Sequence, residues 1–343
     1  MKNTVSFNPI LVTKKLLNGL DERPRDVLEK RFGLYGTGVK TLESIGGVYG
    51  ITRERVRQIE AFALDKIRQS KDFSSFGDVF DELKNHIDTE GGLVQEEHFL
   101  TSRAKQDDHK NHILFLLVVG EPFEKIKEDD HFYHSWTTDM EKAEAIMKSL
   151  RRFHSEFDQK KVLSEKEMLF ALEKRLKDAA QHEFEENILH SLLKVSKILS
   201  SNALGEWGSV YSSFIKPRGM RDFALLVMRK HGSPMHFSEV AGAIKDIFKK
   251  PAHVQTVHNE LIKNEDNFVL VGRGLYALKE WGYEGGIVRD VIKKVISQSG
   301  PLAKEDIIKK VLKERYVKEN TILVNLQNKE FFKRNEKGYY TLI

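Results

Sequence analysis

From residue 73 onward the sequence returns, at intervals of roughly 60 to 70 residues, to one order of elements. A helix comes first, then a second helix opened by a capping or turn residue, a third helix, and two short strands around a turn. Such a pattern divides the chain into small domains, each with its own modest core. It is clearest at 219–283, where RDFALLVMRKHG reads as a helix ending at Gly232 and Pro234 starts a turn. HFSEVAGAIKDIF follows with Ser238 as its expected N-cap, and AHVQTVHNELIKN is the third helix. FVLVGRGLYAL then gives two strands around Gly272, Arg273 and Gly274. Residues 285–343 repeat the order as IVRDVIKKVISQSG, AKEDIIKKVLKER, KENTILVNLQNKE and FFKRNEKGYYTLI. Fainter copies occupy 71–137 and 138–209, and Pro217 with Gly219 marks a linker before the third copy.

Three helices closed by a two-stranded ribbon form the winged-helix arrangement. The expected fold is therefore mainly α, with residues 1–70 as a helix-turn-helix and the four blocks as tandem winged helices. Cysteine is absent, which excludes disulfides and thiolate metal sites and suits a reducing compartment. The longest apolar run, ILFLLVV at 113–119, is too short to span a bilayer, and the first residues show no signal peptide. A soluble, cytoplasmic protein is expected. Its charge is uneven. Lys and Arg outnumber Asp and Glu by 13 to 8 over residues 1–70 and by 13 to 7 over 285–343, whereas 71–137 has 7 against 15. Basic ends suit a polyanion, and the acidic block is expected to meet protein or nothing rather than phosphate.

Residues 50–60, GITRERVRQIE, show how the first seventy residues are built. As a helix they place Val56, Ile59, Ala63 and Ile67 on one side, and Arg53, Glu54, Arg57, Gln58 and Ala61 on the other. Guanidinium, carboxylate and amide groups are the side chains that read base edges in the major groove, although most charged helix faces are merely solvated. The residues around this face favour a helix-turn-helix over Leu42 to Glu60. Gly46 lets two helices approach, Gly50 makes the turn, and Thr52 is the N-cap of the second helix, with Arg55 at the box position. Ile45, Tyr49, Ile51, Val56 and Ile59 are the expected core.

LDERPRDVLEKRFGLYGTGVKTLESIGGVYGITRERVRQIEAFALDKIRQ, residues 20–69, resembles region four of the sigma-seventy family of bacterial transcription initiation factors. The resemblance implies binding of the minus-thirty-five promoter element and docking on RNA polymerase. Arg53, Glu54 and Gln58 would then contact bases, while Arg57, Thr41 and Arg31 would lie near phosphate. Phe62 and Asp65 depart from the basic residues usual late in that helix, which counts against the activator contacts of that position. About twenty residues precede the match, too few for the helix that melts the minus-ten region, so a stand-alone sigma factor is not expected. Residues 221–283, with PMHFSEVAGAI, TVHNELI and FVLVGRGLYALKEWGY, resemble the HARE-type winged helix, also seen in the delta subunit of bacterial RNA polymerase. That likeness implies binding to nucleic acid or the transcription machinery, with Thr256, His258, Asn259 and the wing's Arg273 as candidate contacts. In the last block Lys309, Lys310, Lys313 and Arg315, with Lys333, Arg334 and Lys337 on the wing, form a candidate phosphate surface.

Chemistry is not foreseen. His109 with His112 and His131 with His134 are spaced i, i+3, but no third ligand type converges on either pair, and the second pair is expected in a strand. No phosphate-cradling loop or nucleophile elbow stands out. The expectation is a non-enzymatic, sequence-specific DNA-binding transcription regulator with no cofactor or metal, whose partners are double-stranded DNA and RNA polymerase. The alternative is a polymerase-associated adaptor acting mainly through protein contacts.

Overall fold

Short polar caps cut this chain into helices of moderate length. The computed structural model describes residues 4–180, 184–283 and 287–343, and among them seventeen α-helices alternate with small antiparallel sheets. Asn8 opens α1 (Pro9–Leu17) by accepting from the N–H groups of Ile10 and Leu11 at 3.0 and 3.4 Å. After α2 (Glu22–Phe32), α3 (Leu42–Tyr49) and α4 (Arg53–Arg68) come α5 (Lys71–Ser74) and α6 (Gly77–Thr89). Backbone contacts divide the chain into two compact units, residues 1–200 with 207–210 and residues 201–206 with 211–343.

In the first unit α6 leads to β1 (Leu93–Gln95), α7 (Glu96–Arg103), α8 (His109–Val119), β2 (Glu124–Ile126) and β3 (Ser135–Thr137). β3 is central, with Trp136 opposite Val94 on one side and Lys125 on the other. The next block runs α9 (Met140–Glu156), β4 (Val162–Leu163), α10 (Glu165–Ala180), α11 (Glu186–Val195), β5 (Leu199–Ser201) and β6 (Trp207–Ser209). Its sheet has the order β4-β6-β5. Both blocks thus hold a short strand between their first and second helices that the sequence pattern did not announce. Two or three residues are too few for an alternation to show. His131 and His134 precede β3 rather than lying in it, correcting the expected strand: the ladder begins at Ser135 opposite Gln95.

The helix α8 is apolar nearly all round, so it has to be buried. Ile113, Phe115, Leu116, Leu117 and Val119 are all inaccessible to solvent. They share one core with Val12 and Leu16 of α1, Leu28 and Phe32 of α2, and Ala63 and Ile67 of α4. Phe32 and Phe115 meet edge to face at 5.4 Å. Arg68, the last residue of α4, donates to the carbonyls of Val118 and Val119 at 2.9 and 3.1 Å, satisfying acceptors that the end of α8 leaves open. Asn111 Nδ2 donates to the Gly33 carbonyl at 3.0 Å. The first seventy residues and the acidic block therefore have a common interior.

A similar device joins the acidic block to the one after it. Ile188 of α11 lies so close to Gly91 that a Cβ there would come within 2.5 Å of its methyl. Ser191 Oγ donates to Glu90 Oε2 at 2.6 Å, and the other oxygen of Glu90 pairs with the buried Arg103. Leu93 of β1 and Phe132 belong to the core of the 140–209 block.

The second unit contains α12 (Met220–His231), β7 (Met235–His236), α13 (Phe237–Phe248), α14 (Val254–Lys263), β8 (Phe268–Gly272) and β9 (Leu275–Leu278). β9 is central, with Tyr276 opposite Met235 and Leu270. The N-cap of α13 is His236, not Ser238. The Glu239 carboxylate reaches back to accept from the His236 N–H at 2.9 Å, which fixes the cap two residues earlier. The last block runs α15 (Val288–Ser299), α16 (Lys304–Glu314), α17 (Glu319–Leu326), β10 (Phe332–Arg334) and β11 (Tyr340–Leu342). A single bridge, Leu302 to Tyr340, stands where the other blocks have their short strand. Tyr316 N–H donates to the Val271 carbonyl at 3.1 Å and the Arg315 guanidinium to that of Leu270, so the edge of β8 is covered by the segment that links α16 to α17.

Two buried imidazoles make the first unit acid-sensitive. Burial pushes His112 and His154 down to about 4 from 6.5, and for His154 the neighbouring His131 and Arg151 add to the effect. The unfolded chain then binds protons that the folded one refuses between those two values, so stability falls as pH drops from about 6.5 towards 4. Denaturant titrations across that window should show this loss, and His112→Leu should flatten part of it.

Candidate nucleic-acid interface

The turn between α3 and α4 sets the geometry of the outer face. Gly50 ends α3 in the left-handed region at φ 64°, a conformation that favours glycine. The next N–H, from Ile51, donates to the Gly46 carbonyl at 3.0 Å. A Cβ on Gly46 would stand 2.6 Å from the Ile51 carbonyl oxygen, so the close approach of the two helices requires a glycine there. Thr41 and Thr52 cap α3 and α4, each hydroxyl accepting from the N–H three residues on at 3.1 and 3.2 Å. Beneath them Val27, Ile45 and Val56 form a small core, with Leu42, Tyr49, Ile51 and Ile59 packed around it. Tyr49 is half-buried rather than fully enclosed because its hydroxyl donates to Asp26, and Arg23 lies 4.9 Å over its ring. Burial and that carboxylate push the phenol up to about 12.

With Val56, Ala63 and Ile67 turned inward, Arg53, Glu54, Arg57, Gln58 and Ala61 all face solvent. They do not stand as independent groups. Arg57 forks onto Glu54 with contacts of 2.7, 2.9 and 3.2 Å, and these hydrogen bonds hold the Glu54 carboxyl below the usual carboxylate range. Arg55, which sequence reasoning left out of the face, donates to Gln58 Oε1 at 3.0 Å. Both pairs are fully wet, so little free energy opposes their rearrangement around a ligand. Arg31 lies on the flank, 3.6 Å from Glu60, with its guanidinium 3.4 Å from the Lys40 carbonyl. Burial raises the Glu60 carboxyl and Arg31 partly offsets this. Arg273 is exposed at the β8–β9 turn and belongs to the second compact unit. The structure thus brings Arg53, Glu54, Arg57 and Gln58 onto one helix face, with Thr41 and Thr52 exposed at the two caps.

The third helices of the four blocks differ in what they leave to solvent. Those of the first unit are used internally: α8 lies against α1 and α2, and α11 against β1. In the second unit Gln255, Thr256 and Asn259 of α14 are exposed, with Gln255 Nε2 donating to Asn259 Oδ1 at 3.0 Å. His258 instead packs, its ring stacked on Phe237 at 4.1 Å and edge-on to Tyr276 at 5.9 Å. In α17, Asn320, Thr321 and Val324 are exposed. The buried His109 and His112 each keep an Nδ1 without a hydrogen-bond partner, and among the described residues no group of three His, Asp or Glu is placed to hold a metal.

Residues 16–69 match the family described as Sigma-70, region 4. The chain is also similar to RNA polymerase sigma factor SigA of Nostoc sp., 54% identical over 55 residues, which is 16% of this chain and 14% of that protein. SigA of a Bacillus species is 55% identical over 53 residues, covering 16% of this chain and 14% of its own. SigA of Listeria monocytogenes is 50% identical over 64 residues, 17% of each chain. The chain spans less than a fifth of these relatives' length, and the family match ends at residue 69. No helix among the described residues is long and apolar enough to cross a membrane.

Gly46→Ala should force α3 and α4 apart. The overpacking is expected to cost about 1–3 kcal/mol, read from a denaturant titration, whereas Gly47→Ala, where nothing lies within 4 Å, should leave the midpoint nearly unmoved.

Proposed function

We propose that this chain is a bacterial transcription regulator that binds duplex DNA in a sequence-specific manner, reading a promoter-type element with the outer face of α4. The observation that carries the reading is the exposed set Arg53, Glu54, Arg57 and Gln58, held outward by the Gly46–Gly50 turn within the segment similar to Sigma-70, region 4. Arginine and glutamine supply bidentate donors for guanine and adenine, and glutamate an acceptor for cytosine. Arg57, Thr41, Thr52 and Arg31 would fix the register on phosphate, with Arg31 leaving its contact with Glu60 to do so.

In this reading the four blocks are winged helices, with 219–283 of the HARE type, and they bind DNA or RNA polymerase. Arg273 at the ribbon turn of that block is a candidate phosphate contact. The protein acts by binding and not by catalysis, without a cofactor, in the cytoplasm at the nucleoid.

A second reading is a polymerase-associated adaptor working mainly through protein contacts. Its support is the acidic block built onto the back of the helix-turn-helix, together with two large apolar side chains left in solvent, Val48 at 66% and Phe62 at 58% exposure. Phosphate would repel the first, and the second suits a protein partner. Co-purification with polymerase after nuclease treatment would favour the adaptor, and loss of the complex would favour tethering by DNA.

For the DNA reading, Arg53→Ala and Gln58→Ala should each lose about 1–3 kcal/mol of discrimination between a selected duplex and a random one. An unchanged ratio in gel-shift titrations of both variants would remove α4 as the reader.

A further inference from the structure

We infer that the last block, residues 287–343, is a second and sequence-tolerant contact for duplex DNA, with α17 at a groove and Arg289, Lys293, Lys333 and Lys337 on the phosphates. This rests on reading the block as a winged helix, and it is independent of base reading by α4.

The first observation is where cations gather. Phe331, between α17 and β10, has the Lys293 ammonium 3.9 Å from its ring centre and the Arg289 guanidinium at 4.3 Å. Two like charges held on one ring repel each other, and an anion beside them offsets that repulsion. Local compensation is slight. Arg289 reaches Asp290 only at 3.7 Å, its buried Nε has no hydrogen-bond partner, and Lys293 is half-buried with no carboxylate partner among the described residues. A phosphate oxygen has the charge and the acceptor geometry that this pair lacks.

The second observation is the outer face of α17 and the ribbon that follows Phe331 in the chain. Helix α17 leads through Asn328, whose carbonyl accepts from the Phe332 N–H at 3.2 Å, into β10. Lys333 and Lys337 are exposed on the ribbon, while Arg334 braces its turn by donating to the Gly338 carbonyl at 2.9 Å. The outward residues of α17, Asn320, Thr321 and Val324, are short amide, hydroxyl and methyl groups. Such a face fits a groove with few strong base contacts. Within the first unit, by contrast, α8 and α11 are already covered, so the equivalent surface exists there on neither block.

The experiment uses the full chain and a random-sequence duplex of about 20 base pairs, about two helical turns. Fluorescence anisotropy across a salt series would compare the unaltered protein with Lys293→Ala/Lys333→Ala/Lys337→Ala. The variant should bind at least about tenfold more weakly near 100 mM salt, and its slope of log affinity on log salt should be shallower by about 2 to 3. Arginine at the same three positions should restore the slope, which separates charge from folding. The triple-alanine variant should keep its selected-to-random ratio, whereas Arg53→Ala should change that ratio and leave the slope nearly intact. An unchanged slope in the alanine variant would overturn the assignment. So would tighter binding of single-stranded RNA of equal length, lost in the same variant, which would assign the surface to RNA.

Discussion

The burial of α8 is the constraint on which the first unit depends. A helix reading HKNHILFLLVV has almost no wet side, so something must cover it all round. The chain covers it with α1, α2 and the last turns of α4. Arg68 then closes the end of α8, so α4 and the acidic block are tied by both apolar burial and charge-assisted hydrogen bonds. One consequence is stiffness behind the exposed face of α4. Another is that the acidic block has no third helix left to offer to a groove.

Seen this way, the repeated blocks divide by what their third helix does. α8 and α11 are internal props, each seated on an element earlier in the chain. α14 and α17 keep outer faces of mixed polar and aliphatic side chains open to solvent, and Phe331, just after the second of them, carries a lysine and an arginine. Charge follows the same division. The block with an excess of carboxylates holds α8, whereas an excess of cations marks the first seventy residues and the last fifty-nine. Under the DNA reading the chain has two contact regions of different kinds: arginine and glutamine on α4 for bases, and Arg289, Lys293, Lys333 and Lys337 of the last block for phosphate.

How far the sequence alone reaches can be argued from particular residues. The helix-turn-helix was legible because its constraints are local. Gly46, Gly50, Thr52 and Val56 each have one structural task at a fixed offset, and each performs it. The short strands β1, β4 and β7 were not legible, since two or three residues carry no period and their pairing partners lie about forty residues away. The His236 cap was missed because serine is the commoner cap, while the deciding contact is the backward reach of Glu239. The pairing of Arg55 with Gln58 and the double cation on Phe331 depend on rotamers and on distant packing. His258 looked like a contact in sequence and proved to be a stacking partner of Phe237.

The central claim is that the outer side of α4 is the part of the first unit that meets duplex DNA. A photo-crosslinking side chain placed at Ala61, which lies exposed on that side, tests it directly when compared with the same group at Asp81 on α6. Irradiation of the full chain with a selected duplex should give a protein–DNA adduct from position 61 and none from position 81. An adduct from position 81 with none from position 61 would contradict the account.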